Sequence, residues 1–392
     1  MDNKSNIRVA WLFPSMRLGS YWHPVLSKFT QNFKNTIVYT GEWPGFTTGY
    51  EETFTVEVVG KTKRIQTSQS PLGYNPGFDL VSPEIISHLF KFKPQVIFAN
   101  AFSLWSLLAV LFKSFGGWQI VIAYEGSTPT VDACNSTLRI FLRRIITRFA
   151  DAFITNNQRG KLYLTNILKA KENLVFVRPF EVPDVKAMSA RLGDFEIIRL
   201  KSQHPIFLFI GQVIPRKGIH LLLEACVLLK KQNFYDYTLI IIGDGEQRND
   251  LELFTQQHGL QTCVKWLGWL DYSVLSAYFQ MADVFVFPTL EDTWGMVVLE
   301  AMAFGKPILC SKWAGACEMV VEGENGYVFD PHNPEHLAKL MKYFIENPSL
   351  GTSMGYQSKQ LISQHTPEAA ATFLSEVVDV VLGCPKELLN QV

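Results

Sequence analysis

Ala282-Asp283-Val284-Phe285-Val286-Phe287-Pro288, with Glu291-Asp292-Thr293-Trp294-Gly295-Met296-Val297-Val298-Leu299-Glu300-Ala301-Met302-Ala303 three residues on, is the stretch that decides the fold. Val284–Phe287 is apolar without alternation, which fits a strand buried on both faces, as in a parallel sheet. Pro288 ends it, and the apolar run from Met296 has helix length, so the stretch reads as strand, loop, helix. Outward from it the same alternation continues. Strands are expected at Ile206–Ile210, Thr238–Ile242, Val264–Leu267, Pro307–Cys310 and Tyr327–Phe329, with helices at His220–Lys231, Gln247–His258 and Tyr272–Met281. Such alternation argues for a parallel sheet wrapped by helices.

The first half repeats the pattern with strands at Ile7–Leu12, Thr36–Tyr39, Gln95–Ala99, Gln119–Ala123, Ala152–Thr155 and Leu174–Val177. A proline-marked joint, Pro179 to Pro183, and a polar helical stretch separate the two series. The region 42–80, rich in glycine and proline, reads as long loops or an edge-strand excursion. Two doubly wound domains follow: 1–190, and 200–366.

Composition bounds the partners. The 392 residues carry 36 Lys plus Arg against 36 Asp plus Glu, so no global field draws in nucleic acid. Apolar residues at 47% and charged residues at 18% are those of a packed globular enzyme. The six cysteines (134, 226, 263, 310, 317 and 384) lack metal-ligand spacing and point to a reduced, cytoplasmic compartment. No signal-peptide core opens the chain, and Phe102 to Phe115 is too short and too interrupted for a membrane span. A protein soluble in the cytoplasm, or peripheral at the inner membrane surface, is expected. One segment bears on the second choice. Leu138, Phe141, Leu142, Ile145, Ile146 and Phe149 recur at helical spacing among four arginines, and residues 137–172 hold eight Lys or Arg against two acids. Either this helix (138–149) packs its apolar stripe on the sheet with arginines to water, or it makes peripheral contact with an anionic membrane.

Asp292 and Glu300 lie eight apart, one in a loop and one about a turn into a helix. Between them Gly295 permits close backbone approach, so the amides of Gly295, Met296 and Val297 can face an anion at a helix N-terminus. A phosphate there, with carboxylates accepting from hydroxyls, makes a nucleotide-sugar site.

This block resembles the E-x(7)-E signature of retaining glycosyltransferases of the GT-B fold, in particular glycosyltransferase family 4. Three further blocks agree in order: Phe209-Ile210-Gly211-Gln212-Val213-Ile214-Pro215-Arg216-Lys217-Gly218, then Ile242-Gly243-Asp244-Gly245-Glu246, then Phe304-Gly305-Lys306-Pro307 with Glu322-Gly323-Glu324-Asn325-Gly326. The first half is similar only through Phe13-Pro14-Ser15 and Gly19. The resemblance implies two Rossmann-like domains facing across a cleft, with a last helix at about 367–392 packing back onto the first, and transfer of a hexosyl group from a UDP- or GDP-sugar to a carbohydrate or lipid-linked acceptor. The setting it implies is cell-surface polysaccharide or glycolipid assembly, with no cofactor and no essential metal.

By the same resemblance Lys217 neutralises the donor diphosphate, Glu300 accepts from the ribose hydroxyls, and Asp292 holds the transferred sugar. Leu270 falls where backbone groups meet the base, and Gly19 approaches the diphosphate; Gly211 and Gly243 belong to the binding turns. Two positions depart from the pattern. Asp292, with Glu291 beside it, stands where Glu is usual, so either can serve. Gln212 replaces an arginine, and Arg216 either compensates or faces solvent. Glu125 falls near where relatives carry His-Gly by the reacting centre, which makes it an acceptor-side candidate. Two other readings share the architecture: a nucleotide-sugar 2-epimerase, and a nucleotide-sugar-binding relative without catalysis.

Overall fold

The computed structural model describes residues 4–17, 19–67, 70, 73–75, 77–190 and 204–383. The expected second-domain start at about 200, the end of the last helix at 384–392 and Cys384 lie outside the described residues. The chain forms two units. One comprises 1–69, 75–182 and 365–392; the other comprises 70–74 and 183–364.

The first unit is built on β1 (Arg8–Phe13), β2 (Asn35–Thr40), β3 (Thr55–Val58), β4 (Lys63–Gln66), β5 (Gly77–Leu80), β6 (Val96–Asn100), β7 (Gln119–Tyr124), β8 (Ala152–Thr155) and β9 (Val175–Val177). Seven of these make one sheet in the order β3-β2-β1-β6-β7-β8-β9, every pair parallel. The expected strands are present to within a residue or so at their ends. The region 42–80 takes the edge-strand form: β3 extends the sheet, while β4 and β5 pair antiparallel as a separate hairpin. Alternate residues Leu12, Ile97, Ile120 and Ile122 bury one sheet face with Trp105 and Trp118. Each such side chain contributes roughly 1.5–3 kcal/mol by leaving water.

Helix Pro367–Val381 packs on helix His23–Asn32 within this unit. Thr366 caps it by accepting from the Ala369 amide, and Lys4–Asp379 (2.6 Å) and Lys28–Glu368 (3.0 Å) tie it down. Helix Thr137–Phe149 does not simply pack its apolar stripe on the sheet with its arginines to water. Arg143 turns inward to donate to the Asp132 carbonyl (2.8 Å) and the Tyr163 hydroxyl (2.7 Å). Leu138, Phe141 and Phe149 stand 65%, 61% and 51% exposed on the face that also carries exposed Arg144 and Arg148. An inward arginine satisfied by carbonyls displaces the simple separation of apolar and charged faces.

The second unit holds β10 (Ile206–Ile210), β11 (Thr238–Ile242), β12 (Val264–Gly268), β13 (Val284–Phe287), β14 (Ile308–Ser311) and β15 (Gly326–Phe329), in the order β12-β11-β10-β13-β14-β15, all parallel. Phe207, Leu239, Ile241, Val284, Val286 and Leu309 lie in its core. The five described cysteines are free thiols, and Cys226, Cys263 and Cys310 are buried. Among the described residues no helix is long and apolar enough to cross a membrane.

Candidate functional site

In an open parallel sheet, ligands bind beyond the carboxyl ends of the strands where the order reverses, because loops from neighbouring strands diverge there. In the second unit that place lies between β10 and β13. The chain leaving β10 makes a 3-10 turn, Pro215–Lys217, ended by Gly218 at φ +66°. A side chain at Gly218 would meet the Pro288 carbonyl at 2.2 Å, so glycine is required for the turn to pack on the loop after β13. That contact brings Lys217 to Asp292. Its Nζ donates to Oδ2 at 2.5 Å and stands 4.8 Å from the centre of the Phe287 ring.

Arg216 faces inward as well, with its side chain only 11% exposed. Its Nη1 donates to the Glu291 carbonyl at 2.8 Å and to the same Asp292 Oδ2 at 3.4 Å. Of the two alternatives for the acidic position, Asp292 is therefore the one that meets the cations. The Glu291 carboxylate is also buried and accepts from the Tyr74 amide at 3.1 Å. Burial alone would raise the Asp292 pKa; Lys217 and Arg216 outweigh it and hold the carboxyl below its ordinary range. Gln212 is exposed and takes no part in these contacts.

Gly295 caps helix Met296–Ala303 at φ +99°, and a Cβ there would crowd Phe287 at 2.9 Å. The amides of Gly295, Met296 and Val297 thus stand at the first turn, two to five residues past Asp292 and Thr293. Glu300, on the same helix, is buried and accepts from the Tyr272 hydroxyl at 2.9 Å. Burial pushes its carboxyl up to about 7, and the Tyr272 bond pulls the other way. Leu270 lies half-buried in the loop before Tyr272, beside Trp269, which is 71% exposed.

Gly211 and Gly243 meet backbone to backbone, since a Cβ on Gly243 would lie 1.8 Å from the Gly211 carbonyl oxygen. Gly243 stands at φ +139° and its amide donates to the Gly268 carbonyl at 2.8 Å, so this pair holds the loops after β10, β11 and β12 together. Sequence reasoning missed Tyr74 and Tyr272, the phenols beside the two acidic residues. Neither lies in a motif, and Tyr74 is distant in sequence from everything it touches in this unit.

In the first unit the order reverses between β1 and β6. A cavity of roughly 350 Å³ opens there, lined by Gly19, Tyr21, Glu42, Asn100 and Glu125 among others. Tyr21 Oη donates to Glu125 Oε1 at 2.9 Å, and Asn100 Nδ2 to the same oxygen at 3.3 Å. Burial and the nearby Glu125 and Glu181 hold the Tyr21 phenol protonated. Gly19 and Glu125, singled out separately in the sequence, share this cavity.

Two parallel α/β units with polar residues gathered at their strand-order reversals define a protein of the GT-B class. Residues 192–361 match the family model Glycosyl transferases group 1. An uncharacterised glycosyltransferase of Methanocaldococcus jannaschii is 25% identical over 184 residues, 47% of this chain and 50% of that protein. The lipopolysaccharide core biosynthesis glycosyltransferase LpsE of Rhizobium meliloti is 29% identical over 166 residues, 42% of this chain and 47% of that one. The alignments span about half the length of these curated relatives. The structure of Anabaena HepE in complex with UDP matches with a TM-score of 0.75 at 17% identity, covering 95% of this chain and 100% of that one. At that identity the likeness speaks for the fold.

Proposed function

We propose that the chain transfers a hexosyl group from a nucleotide-diphosphate sugar, UDP-linked before GDP-linked, to an acceptor, with retention of configuration and no essential metal ion. The observation that carries this reading is the meeting of Lys217 and Arg216 on Asp292 at the strand-order reversal, inside the segment that matches the family. Two buried cations sharing one carboxylate oxygen are an anion site that the protein fills with its own acid until a phosphate arrives. On donor binding Lys217 turns to the diphosphate. Because that group leaves during transfer, the cation acts most where charge develops.

Asp292, released, accepts from the transferred sugar's hydroxyls. The amides of Gly295, Met296 and Val297 support the same anion, Glu300 exchanges the Tyr272 phenol for ribose hydroxyls, and the backbone near Leu270 faces the base. The departing phosphate assists deprotonation of the acceptor, for which Glu125 is the acceptor-side candidate. This arrangement agrees with family 4 in particular. UDP comes first because HepE was solved with it, and an acceptor in cell-surface polysaccharide or glycolipid assembly is in keeping with LpsE, a lipopolysaccharide core biosynthesis glycosyltransferase.

A lipid-linked acceptor is also favoured by exposed Leu138 and Phe141 beside Arg144 and Arg148, a face suited to an anionic bilayer. Flotation with phosphatidylglycerol vesicles tests it, with loss of binding expected in Phe141→Ser/Arg144→Glu. The donor site is tested by calorimetric titration with UDP, GDP and ADP in EDTA, beside Lys217→Ala. One nucleotide should bind, and the variant should weaken it by more than about tenfold. No binding, or no effect of the variant, would remove the donor site. Turnover then separates transfer from epimerisation of the donor and from binding without chemistry.

A further inference from the structure

Tyr74 is out of place by sequence. The chain before 70 and after 74 belongs to the first unit, yet 70–74 belongs to the second. Its backbone amide donates to Glu291 Oε2 at 3.1 Å. Its hydroxyl lies 3.5 Å from Asp292 Oδ1 and receives the Thr293 amide at 3.4 Å. Its ring stands 4.0 Å from the Arg216 guanidinium carbon.

We propose that Tyr74 is a positioning residue of the donor site, whose ring clamps the Arg216 guanidinium beside Lys217 so that two cations meet the donor diphosphate. The inference rests on the nucleotide-sugar reading above.

The argument is one of charge and packing. Two neighbouring cations with side chains 12% and 11% exposed repel each other and are stripped of most water, so each needs fixed partners. Lys217 has Asp292. Arg216 has the Glu291 carbonyl and a long bond to Asp292, and an aromatic face covers it. A guanidinium over a ring gains cation–π attraction and loses rotamer freedom. When a diphosphate draws Lys217 away from Asp292, the ring still holds Arg216 in reach of the incoming oxygens. Such a clamp also makes sense of exposed Gln212, where the resemblance expects a second cation: Arg216 supplies it from four residues on, provided something holds it inward. The ring acts on Arg216 and the phenol on Asp292, so the two parts of Tyr74 can be separated.

The test is calorimetry on the full chain with UDP and UMP, or the di- and monophosphate of whichever of uridine, guanosine and adenosine binds best. Wild type, Tyr74→Phe, Tyr74→Leu, Arg216→Ala and the double variant Tyr74→Leu/Arg216→Ala are compared. Because Arg216 meets the diphosphate, Tyr74→Leu should lower the preference for diphosphate over monophosphate about fivefold, and Tyr74→Phe, which keeps the ring, should preserve it. In the Arg216→Ala background Tyr74→Leu should have no further effect. Equal weakening of UDP and UMP would mark a merely structural role and overturn the proposal, as would an unchanged ratio or full additivity in the double variant. The outcome in which Lys217→Ala weakens UDP while Tyr74→Leu is silent removes this inference alone. Absence of any nucleotide binding to the wild type removes the donor reading along with it.

Discussion

The two units end their central strands in different chemistry. Beyond β10 and β13 the second gathers Lys217 and Arg216 on buried Asp292, with a helix N-terminal turn close behind. Beyond β1, β6 and β7 the first gathers Tyr21 and Asn100 on Glu125, in a cavity whose wall also holds Glu42 and Asp79. One arrangement offers cations and amides, which suit a phosphate. The other sets Glu125 between two neutral donors, which suits hydroxyls, while Arg64 on the same wall is already paired with Asp79 at 3.1 Å. The same βα layout supplies the place in both, and the charge of a few loop residues sets the ligand class.

The sharpest way to break this contrast is Asp292→Asn. It leaves Lys217 and Arg216 without their internal anion, so UDP should bind several-fold tighter by calorimetry. Transfer should nevertheless fall by at least about a hundredfold in a coupled UDP-release assay, because the sugar loses its charged acceptor. Weaker UDP binding would mean that the carboxylate organises the cations rather than competing with the diphosphate.

Glu125→Gln probes the other unit with a smaller effect. Transfer to acceptor should drop about tenfold while UDP affinity stays within about twofold. Parallel loss of nucleotide affinity would abolish the division of labour between the two places.

The smallest effect is the pH dependence of nucleotide binding. Glu300 titrates near 7 because it is buried, and in the proposed donor site its ionised form would accept best from ribose hydroxyls. UDP affinity should therefore rise roughly threefold to tenfold from pH 6 to pH 8, and Glu300→Gln should flatten the profile. The sign for folding is opposite. A raised carboxyl pKa favours the folded state at low pH, and that contribution is lost as pH rises from the ordinary carboxylate range through about 7. Glu300→Gln should accordingly raise the melting temperature more at pH 8 than at pH 5.

Both the strands and the acidic pair were legible in the chain because their signals are local. Val284–Phe287 and Thr238–Ile242 are buried on both faces, so they read as short continuous apolar runs. Gly218 and Gly295 sit where backbone conformation or close approach demands glycine, and they marked the turns that carry Lys217 and the helix amides. The strands in 55–80 were harder to read. β4 and β5 are short, pair with each other outside the main sheet and expose most of their residues, so little apolar pattern is written into them.

By itself the sequence determined two parallel α/β units and the places of their strands along the chain, because burial acts over a few residues, and it offered Asp292 and Glu300 by their spacing and Lys217 by the resemblance of its block to a known family. Only the tertiary structure decided that Arg216 faces inward, that Asp292 rather than Glu291 meets the cations, and that phenols from Tyr74 and Tyr272 stand on the two acids. A side chain's direction depends on what is packed around it, and Tyr74 meets Asp292 across 218 residues of chain, a separation over which no local pattern carries information.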